Sequence, residues 1–229
     1  MMKNKNIFVA LDTNLDSALE IAFKTKNYAY GFKIGMTLFN QIGQEGLKKF
    51  DALSVPLFLD LKWMDIPSVV SKTIKTFKDF KNIEFMTVHS LSSKEMMKEA
   101  VKAAKEINDK LSICAVTVLT STNNLEDIGI KNSSEDQVKL LVNLAKNCGV
   151  QGVISSAQNI KLIRNLVGED FKLICPGIRD KNKEQNDQKQ TLNYNEFNQL
   201  ANKNTFCVIG RPIYEKGDPE ANIKNIINL

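Results

Sequence analysis

The stretch PLFLDLKWMD, residues 56–65, joins an apolar run to a cluster of charges. Apart from Asp60, residues 56–61 are apolar throughout, which is typical of a strand that is covered on both faces. Asp60 and Lys62 stand two positions apart at its end, so on a strand both side chains point to the same side. The stretch therefore predicts a buried strand that ends in charged side chains.

Seven other short runs rich in β-branched and aromatic residues repeat this pattern. They cover residues 7–11, 30–34, 85–89, 113–119, 152–155, 172–175 and 206–209. Segments with helical spacing separate them, and in one of these Met97, Ala100, Val101 and Ala104 form a single apolar stripe. Eight strand–helix units in 229 residues predict a single-domain (β/α)8 TIM barrel over residues 1–229. A doubly wound open sheet is the alternative, but its dinucleotide-binding form needs a Gly-rich turn and the chain contains no G-x-G sequence.

Composition and charge exclude several classes of protein. With 43% hydrophobic residues, 25% charged residues and a net charge of +5, the composition is that of an ordinary globular domain. Acidic and basic residues are too interleaved for a nucleic-acid-binding face, and no run approaches the 18 apolar residues of a membrane span. The N-terminus lacks a secretory signal and the four cysteines form no C-x-x-C pair, so we expect a reduced, cytoplasmic protein.

The active site of such a barrel lies at the C-terminal ends of its strands. The predicted strands place there Asp12, Lys33, Asp60, Lys62, Asp65, His89, Thr120, Ser121, Ser155, Ser156, Gly177, Arg179, Gly210 and Arg211. Lys33 interrupts an apolar strand, and its burial is costly unless acids pair with it. The charges around Asp60 and Lys62 are therefore predicted to be catalytic, with a structural ion-pair network in the barrel mouth as the alternative.

The chain has 28 lysines and only three arginines, two of which follow predicted strands seven and eight. Arg179 and Arg211 stand close to a glycine in the loops that commonly hold phosphate in barrels. Glycine lets the backbone approach an anion, and guanidinium offers a planar fork to phosphate oxygens. We therefore predict a phosphate site, the alternative being two chance surface arginines. Arg164, in the middle of a predicted helix, is interpreted as a surface residue.

His89 is the only histidine, which excludes metal sites built from several histidines. We interpret it as a hydrogen-bonded residue at a strand end in preference to a general base. By residue type alone, Asp60 and Asp65 could hold Mg²⁺.

Residues 60–67, DLKWMDIP, resemble the D-x-K-x-x-D-I-P signature of orotidine 5′-phosphate decarboxylases in their shorter bacterial form. The D-x-K-x-x-D part alone is shared with sister barrels, but further segments of the same family follow in order along the chain. They are VALD at 9–12, FKIG at 32–35, VTVLTS at 116–121, PGIR at 176–179, DQK at 187–189 and VIGRPI at 208–213.

The resemblance implies a homodimeric, cofactor-free and metal-free enzyme that decarboxylates orotidine 5′-phosphate to uridine 5′-phosphate, the last step of pyrimidine nucleotide synthesis. By motif, Lys62 would protonate the C6 carbanion left by CO₂, and Asp60 would lie against the substrate carboxylate. Lys33 would link Asp60 to the ribose, and Asp12 would bind a ribose hydroxyl. Asp65 would enter the active site of the neighbouring subunit.

The same resemblance implies a binding site for the other end of the nucleotide. Thr120 would contact the pyrimidine, whereas the phosphate would be held by Arg179, Gln188, Gly210 and Arg211. Gln188 would belong to a polar loop, at about residues 180–193, that closes over the ligand.

One position departs from the family pattern. Where the family usually has Asn-Thr after Ile-Pro, the chain has Ser68 and Val69. Val69 cannot donate the threonine hydrogen bond to the ribose, so we predict retained activity with weaker nucleotide binding.

Two other functions are compatible with parts of this pattern. A Mg²⁺-dependent sugar-phosphate decarboxylase or synthase of the same superfamily usually has an acid where this chain has Lys33. A non-catalytic phosphate-ligand-binding barrel needs the two arginine loops but not Lys33, Asp60, Lys62 and Asp65 together.

Overall fold

The computed structural model describes residues 6–122, 124–178 and 192–228, and within them eight parallel strands close into a barrel in chain order. The strands are β1 Ile7–Ala10, β2 Gly31–Gly35, β3 Leu57–Trp63, β4 Ile83–His89, β5 Ser112–Val116, β6 Gly152–Ile154, β7 Lys172–Pro176 and β8 Thr205–Ile209. β1 pairs with both β2 and β8, which closes the sheet. The predicted TIM barrel is confirmed, and each apolar run overlaps one strand.

Helices follow the strands and cover the outside of the barrel. They are α1 Leu15–Thr25, α2 Met36–Asp51, α3 Pro67–Lys75, α4 Lys94–Ile107, α5 Ser134–Asn147, α6 Ile160–Val167, α7 Tyr194–Leu200, α8 Arg211–Tyr214 and α9 Pro219–Asn228. Asn14, Ser93 and Ser133 cap the helices that follow them, each accepting a hydrogen bond from a backbone N–H of the first turn. Among the described residues, no helix is both long and apolar enough to span a membrane.

The interior of the barrel is closed by aromatic side chains near its N-terminal end. The ring of Phe8 lies 5.1 to 5.7 Å, centroid to centroid, from the rings of Tyr30, Phe58, Phe85 and Phe206. The four phenylalanines stand among the first three residues of their strands, so they fill the lower half of the barrel. The charged residues lie toward the opposite, C-terminal ends of the strands.

Arg164 on α6 is buried, so its interpretation as a surface residue was wrong. Its guanidinium donates hydrogen bonds to the carbonyl oxygens of Gly168 and Phe171 and to the hydroxyl of Thr205. Gly168 and Phe171 lie between α6 and β7, and Thr205 begins β8, so the long Arg164 side chain ties α6 to the segments from which these strands start. Burial lowers the pKa of this guanidinium. The hydrogen-bond acceptors around it compensate for the loss of water, so the group is tolerated in the interior.

Candidate active site

Four charged side chains form a row of alternating sign at the C-terminal ends of β1, β2 and β3. The Lys62 Nζ atom lies 2.8 Å from Asp60 Oδ2, and Lys33 Nζ lies 3.9 Å from the same oxygen. On its other side, Lys33 Nζ donates to Asp12 Oδ1 at 3.1 Å. The structure therefore brings together Asp12, Lys33, Asp60 and Lys62, as the strand ends predict.

The two central members of the row are the most deeply buried. Lys33 and Asp60 are each 8% exposed, whereas 44% of the Asp12 side chain is exposed. Buried charges are tolerated when they are paired and hydrogen-bonded, and Asp60 lies between two ammonium groups. Its second oxygen accepts a hydrogen bond from Thr87 Oγ1 at 3.0 Å, so both carboxylate oxygens have a donor.

Gly35, at the end of β2, provides the space that the row needs. A Cβ atom built there would lie 2.7 Å from Lys33 Nζ and 2.9 Å from Asp12 Oδ1. The backbone of Gly35 has φ −91°, which any residue adopts. The glycine is therefore required for the close approach of the ion pair and not for a special turn.

Lys62 stands in an unusual backbone conformation. Its φ of 52° lies in the left-handed region, which is costly for a residue with a side chain. The pairing of β3 with β4 shifts between Leu59 and Trp63, and the Lys62 N–H donates instead to Thr87 Oγ1 at 2.8 Å. Sequence reasoning missed Thr87, although it is the one hydroxyl in the otherwise largely apolar strand β4.

A cavity of about 250 Å³ opens beside this row. It is lined by Lys33, Phe58, Asp60, Lys62, Val116, Val118, Leu119, Thr120, Ser121, Ile154, Ser155, Pro176 and Val208. The charges form one part of the wall, and Val116 of β5, Ile154 of β6 and Val208 of β8 form an apolar part. Such a pocket suits a flat ring that carries a polar group on one edge, and its apolar wall strengthens the electrostatic interactions inside it. Thr120 is among the residues that line the cavity.

Asp65 does not join the row. It is exposed, its Oδ1 accepts a hydrogen bond from the Ile66 N–H at 2.6 Å, and it makes no ion pair with any residue that the structure describes. Its neighbours Met64 and Ile66 are 58% and 61% exposed, and Val69 on α3 is 41% exposed. A carboxylate thus stands on an exposed apolar surface.

The predicted phosphate site is described in part. Gly210 and Arg211 follow β8, and the exposed Arg211 begins α8. Gly177 follows the neighbouring strand β7 with φ 83°, a left-handed conformation that favours glycine. Arg179, Gln188 and loop residues 180–191 lie outside the described residues.

His89, half-buried at the end of β4, accepts a hydrogen bond at Nδ1 from the Leu91 N–H at 3.3 Å. Burial lowers the pKa of its imidazole, and the nearby Lys62 ammonium lowers it further. A neutral ring that accepts a local backbone bond agrees with the interpretation of a hydrogen-bonded strand end.

The four cysteines Cys114, Cys148, Cys175 and Cys207 are free and buried. Burial raises the pKa of Cys114, below the charge row, to about 12. These thiols therefore act as small apolar groups.

No group of three metal-ligating side chains is found within residues 6–122, 124–178 and 192–228. Asp60, which by residue type could hold Mg²⁺, directs its oxygens at Lys62 and Thr87.

Comparisons of the sequence and of the structure with known proteins point to the same family. The model of the orotidine 5′-phosphate decarboxylase / HUMPS family matches residues 5–226. An orotidine 5′-phosphate decarboxylase from Wolbachia pipientis subsp. Culex pipiens is 36% identical over 224 residues, 96% of each chain, and one from Idiomarina loihiensis is 35% identical over the same length. The crystal structure of orotidine 5′-phosphate decarboxylase from Lactobacillus acidophilus superposes with a TM-score of 0.83 at 29% identity, covering 99% of this chain and 98% of that one.

Proposed function

This chain belongs to the orotidine 5′-phosphate decarboxylase / HUMPS family, and we propose that its charge row carries out the decarboxylation, with Lys62 as the proton donor. Its activity is that of a carboxy-lyase of pyrimidine biosynthesis, which converts orotidine 5′-phosphate to uridine 5′-phosphate and CO₂. The observation that carries the proposal is the contact of Lys62 Nζ with Asp60 at 2.8 Å on the wall of the cavity.

The first chemical step is the loss of CO₂ from C6 of the pyrimidine. A substrate carboxylate placed about 4 Å from the Asp60 carboxylate is repelled by roughly 4 kcal/mol at an effective dielectric of about 20. When the C6–carboxylate bond breaks, the electron pair stays on C6 and CO₂ leaves toward the apolar wall of the cavity. The repulsion is thereby relieved as the reaction proceeds.

The second step is protonation of C6. The carbanion has no neighbouring carbonyl that could delocalise its charge, so a fixed cation must stabilise it. The Lys62 ammonium is held in the pocket by Asp60, and it transfers one proton to C6, after which solvent restores the proton on Nζ. Lys33, between Asp12 and Asp60, keeps the row at alternating charge and directs Asp12 toward a ribose hydroxyl.

The phosphate of the nucleotide is bound at the ends of β7 and β8. Arg211 and Gly210 stand there with an exposed guanidinium, and Arg179 and Gln188 belong to the same site by motif. Phosphate binding far from C6 supplies energy for closure of the loop at residues 180–193 and for alignment of the pyrimidine against Thr120.

The active unit is a homodimer in which Asp65 completes the charge row of the neighbouring subunit. Support comes from the exposed Asp65 and from the apolar surface around it, formed by Met64, Ile66 and Val69. Burial of such a patch against a second copy would bring the carboxylate close to a partner's site.

The dimer can be tested by mixing two inactive variants, Lys62→Ala and Asp65→Asn. With equal amounts and random exchange of subunits, about half of the dimers combine the two variants, and each of these has one intact site out of two. About a quarter of all sites are then intact, so activity should return to about a quarter of the wild-type value. No recovery after verified subunit exchange would contradict the contribution of Asp65 in trans.

Lys33 favours the decarboxylase over a Mg²⁺-dependent sugar-phosphate enzyme, because an ammonium group stands between Asp12 and Asp60. An ultraviolet assay with orotidine 5′-phosphate, run with and without a chelator, distinguishes the two. We expect chelator-insensitive turnover in the wild type and none in Lys62→Ala. A chelator-sensitive reaction would support the metal-dependent alternative. Binding of uridine 5′-phosphate without turnover would support the non-catalytic phosphate-ligand-binding barrel.

The buried free cysteines support a reducing, cytoplasmic location.

A further inference from the structure

A single hydroxyl group on β4, that of Thr87, forms hydrogen bonds with both Asp60 and Lys62, the pair that carries the proposed chemistry. Thr87 is fully buried, and its Oγ1 donates to Asp60 Oδ1 at 3.0 Å. The same oxygen accepts the backbone N–H of Lys62 at 2.8 Å. Thr87 thus contacts the side chain of one member of the pair and the backbone of the other.

The backbone bond matters because Lys62 is held in a costly conformation. With φ 52°, Lys62 leaves the regular strand, and the pairing of β3 with β4 is interrupted between Leu59 and Trp63. The Lys62 N–H therefore loses its place in the ladder and needs another acceptor. Thr87 supplies it, which fixes the position from which the Lys62 side chain reaches Asp60.

The side-chain bond fixes the orientation of the carboxylate. Lys62 Nζ bonds to Oδ2 of Asp60, and Thr87 holds Oδ1, so rotation of the carboxylate would break both contacts. A hydrogen bond to an ionised group is also among the stronger ones. Without it, the Asp60 carboxylate would be freer to rotate.

We propose that Thr87 is a positioning residue for the decarboxylation, acting through the Asp60 carboxylate and the Lys62 backbone without touching the substrate. The proposal rests on the function proposed above for the Asp60–Lys62 pair. It predicts that removal of the Thr87 hydroxyl slows the chemical step more than it weakens nucleotide binding, since the ribose and phosphate contacts lie elsewhere.

The test compares three variants with the wild type. Thr87→Val keeps the shape but removes the hydroxyl, and Thr87→Ser keeps the hydroxyl. Thr117→Val is the matched control, because Thr117 is equally buried and its Oγ1 donates only to the carbonyl of Ile154, at 2.8 Å. The readouts are kcat, KM for orotidine 5′-phosphate and the melting temperature.

We expect Thr87→Val to lower kcat by about tenfold or more while KM changes by less than about threefold, because small misplacements of reacting groups are costly. Thr87→Ser and Thr117→Val should keep kcat within about threefold of the wild type.

Turnover by the wild type tests the proposed function separately from this inference. With an active wild type, the inference is overturned if Thr87→Val keeps the wild-type kcat. An equal loss in Thr87→Val and Thr117→Val would also overturn it, because the role would then be structural. If Thr87→Val does not fold, Thr87→Ala takes its place, and failure of both to fold assigns Thr87 to stability alone and overturns the proposal.

Discussion

Replacement of Gly35 by alanine perturbs the charge row without perturbing the backbone. The φ of −91° and ψ of 179° at Gly35 suit alanine, so the barrel should tolerate the change. The new Cβ would lie 2.7 Å from Lys33 Nζ and 2.9 Å from Asp12 Oδ1. Both atoms are ends of side chains, which can move, and neither can stay where it is.

The size of the effect follows from these distances. Ordinary contact begins at 3.4 Å, so the Lys33 ammonium must move by about 0.7 Å from the added carbon, and misplacement by about 1 Å can cost 10²-fold in rate. We therefore expect Gly35→Ala to lower kcat/KM by about 10- to 100-fold. The melting temperature should change little, because the strain is relieved at flexible side-chain ends.

The assay is steady-state decarboxylation, with the double variant Lys33→Ala/Gly35→Ala as the control. Without the long Lys33 side chain the added methyl has one contact fewer to disturb, so Gly35→Ala should cost much less in that background than in the wild type. Equal losses in both backgrounds, or full activity of Gly35→Ala, would refute the role given to this glycine.

Three further changes test other parts of the account. Arg164→Met should lower the free energy of unfolding by about 3–5 kcal/mol in urea titrations, because several buried hydrogen bonds to one charged group are lost together, and a loss below about 1 kcal/mol would contradict this. The folded-state pKa of His89 is lowered, so its contribution to stability is present above its ordinary pKa and is lost as the pH falls through the folded value. From about pH 7.5 to about pH 5.5 the wild-type melting temperature should therefore fall more than that of His89→Gln. An equal fall of the two melting temperatures would count against this contribution of His89. Val69→Thr should lower KM for orotidine 5′-phosphate by about two- to tenfold with kcat unchanged, because it restores a neutral hydrogen-bond donor, and an unchanged KM would rule out a missing ribose contact.

The barrel was predictable because strands covered on both faces read as continuous apolar runs, and each of the eight runs overlaps one strand. The ends of the runs were less predictable. The run at residues 113–119 extends past β5, which ends at Val116, although the backbone N–H of Thr117 still donates to the carbonyl of Ile154. Apolar character continues beyond the last ladder residue, so sequence alone overstates the strand.

The charge row was also predictable, since Asp12, Lys33, Asp60 and Lys62 follow from where the strands end. Thr87 was not, because its role depends on a register shift between β3 and β4 and on the left-handed backbone of Lys62. Neither feature has a local sequence signal.

Arg164 was misinterpreted for a related reason. Helical spacing tells which face a residue stands on but not how far a long side chain reaches. The guanidinium of Arg164 crosses to Phe171 and Thr205, whose positions are set by the barrel and not by α6.

The most direct test of the central claim is the initial rate of orotidine 5′-phosphate decarboxylation by purified wild type and Lys62→Ala, followed by ultraviolet absorbance with a chelator present. If Lys62 protonates C6, the wild type turns over at full rate and Lys62→Ala, still folded and still binding uridine 5′-phosphate, falls by about 10³-fold or more. Wild-type turnover that persists in Lys62→Ala would contradict the assignment of the proton donor, and absence of turnover in the purified wild type would contradict the function itself.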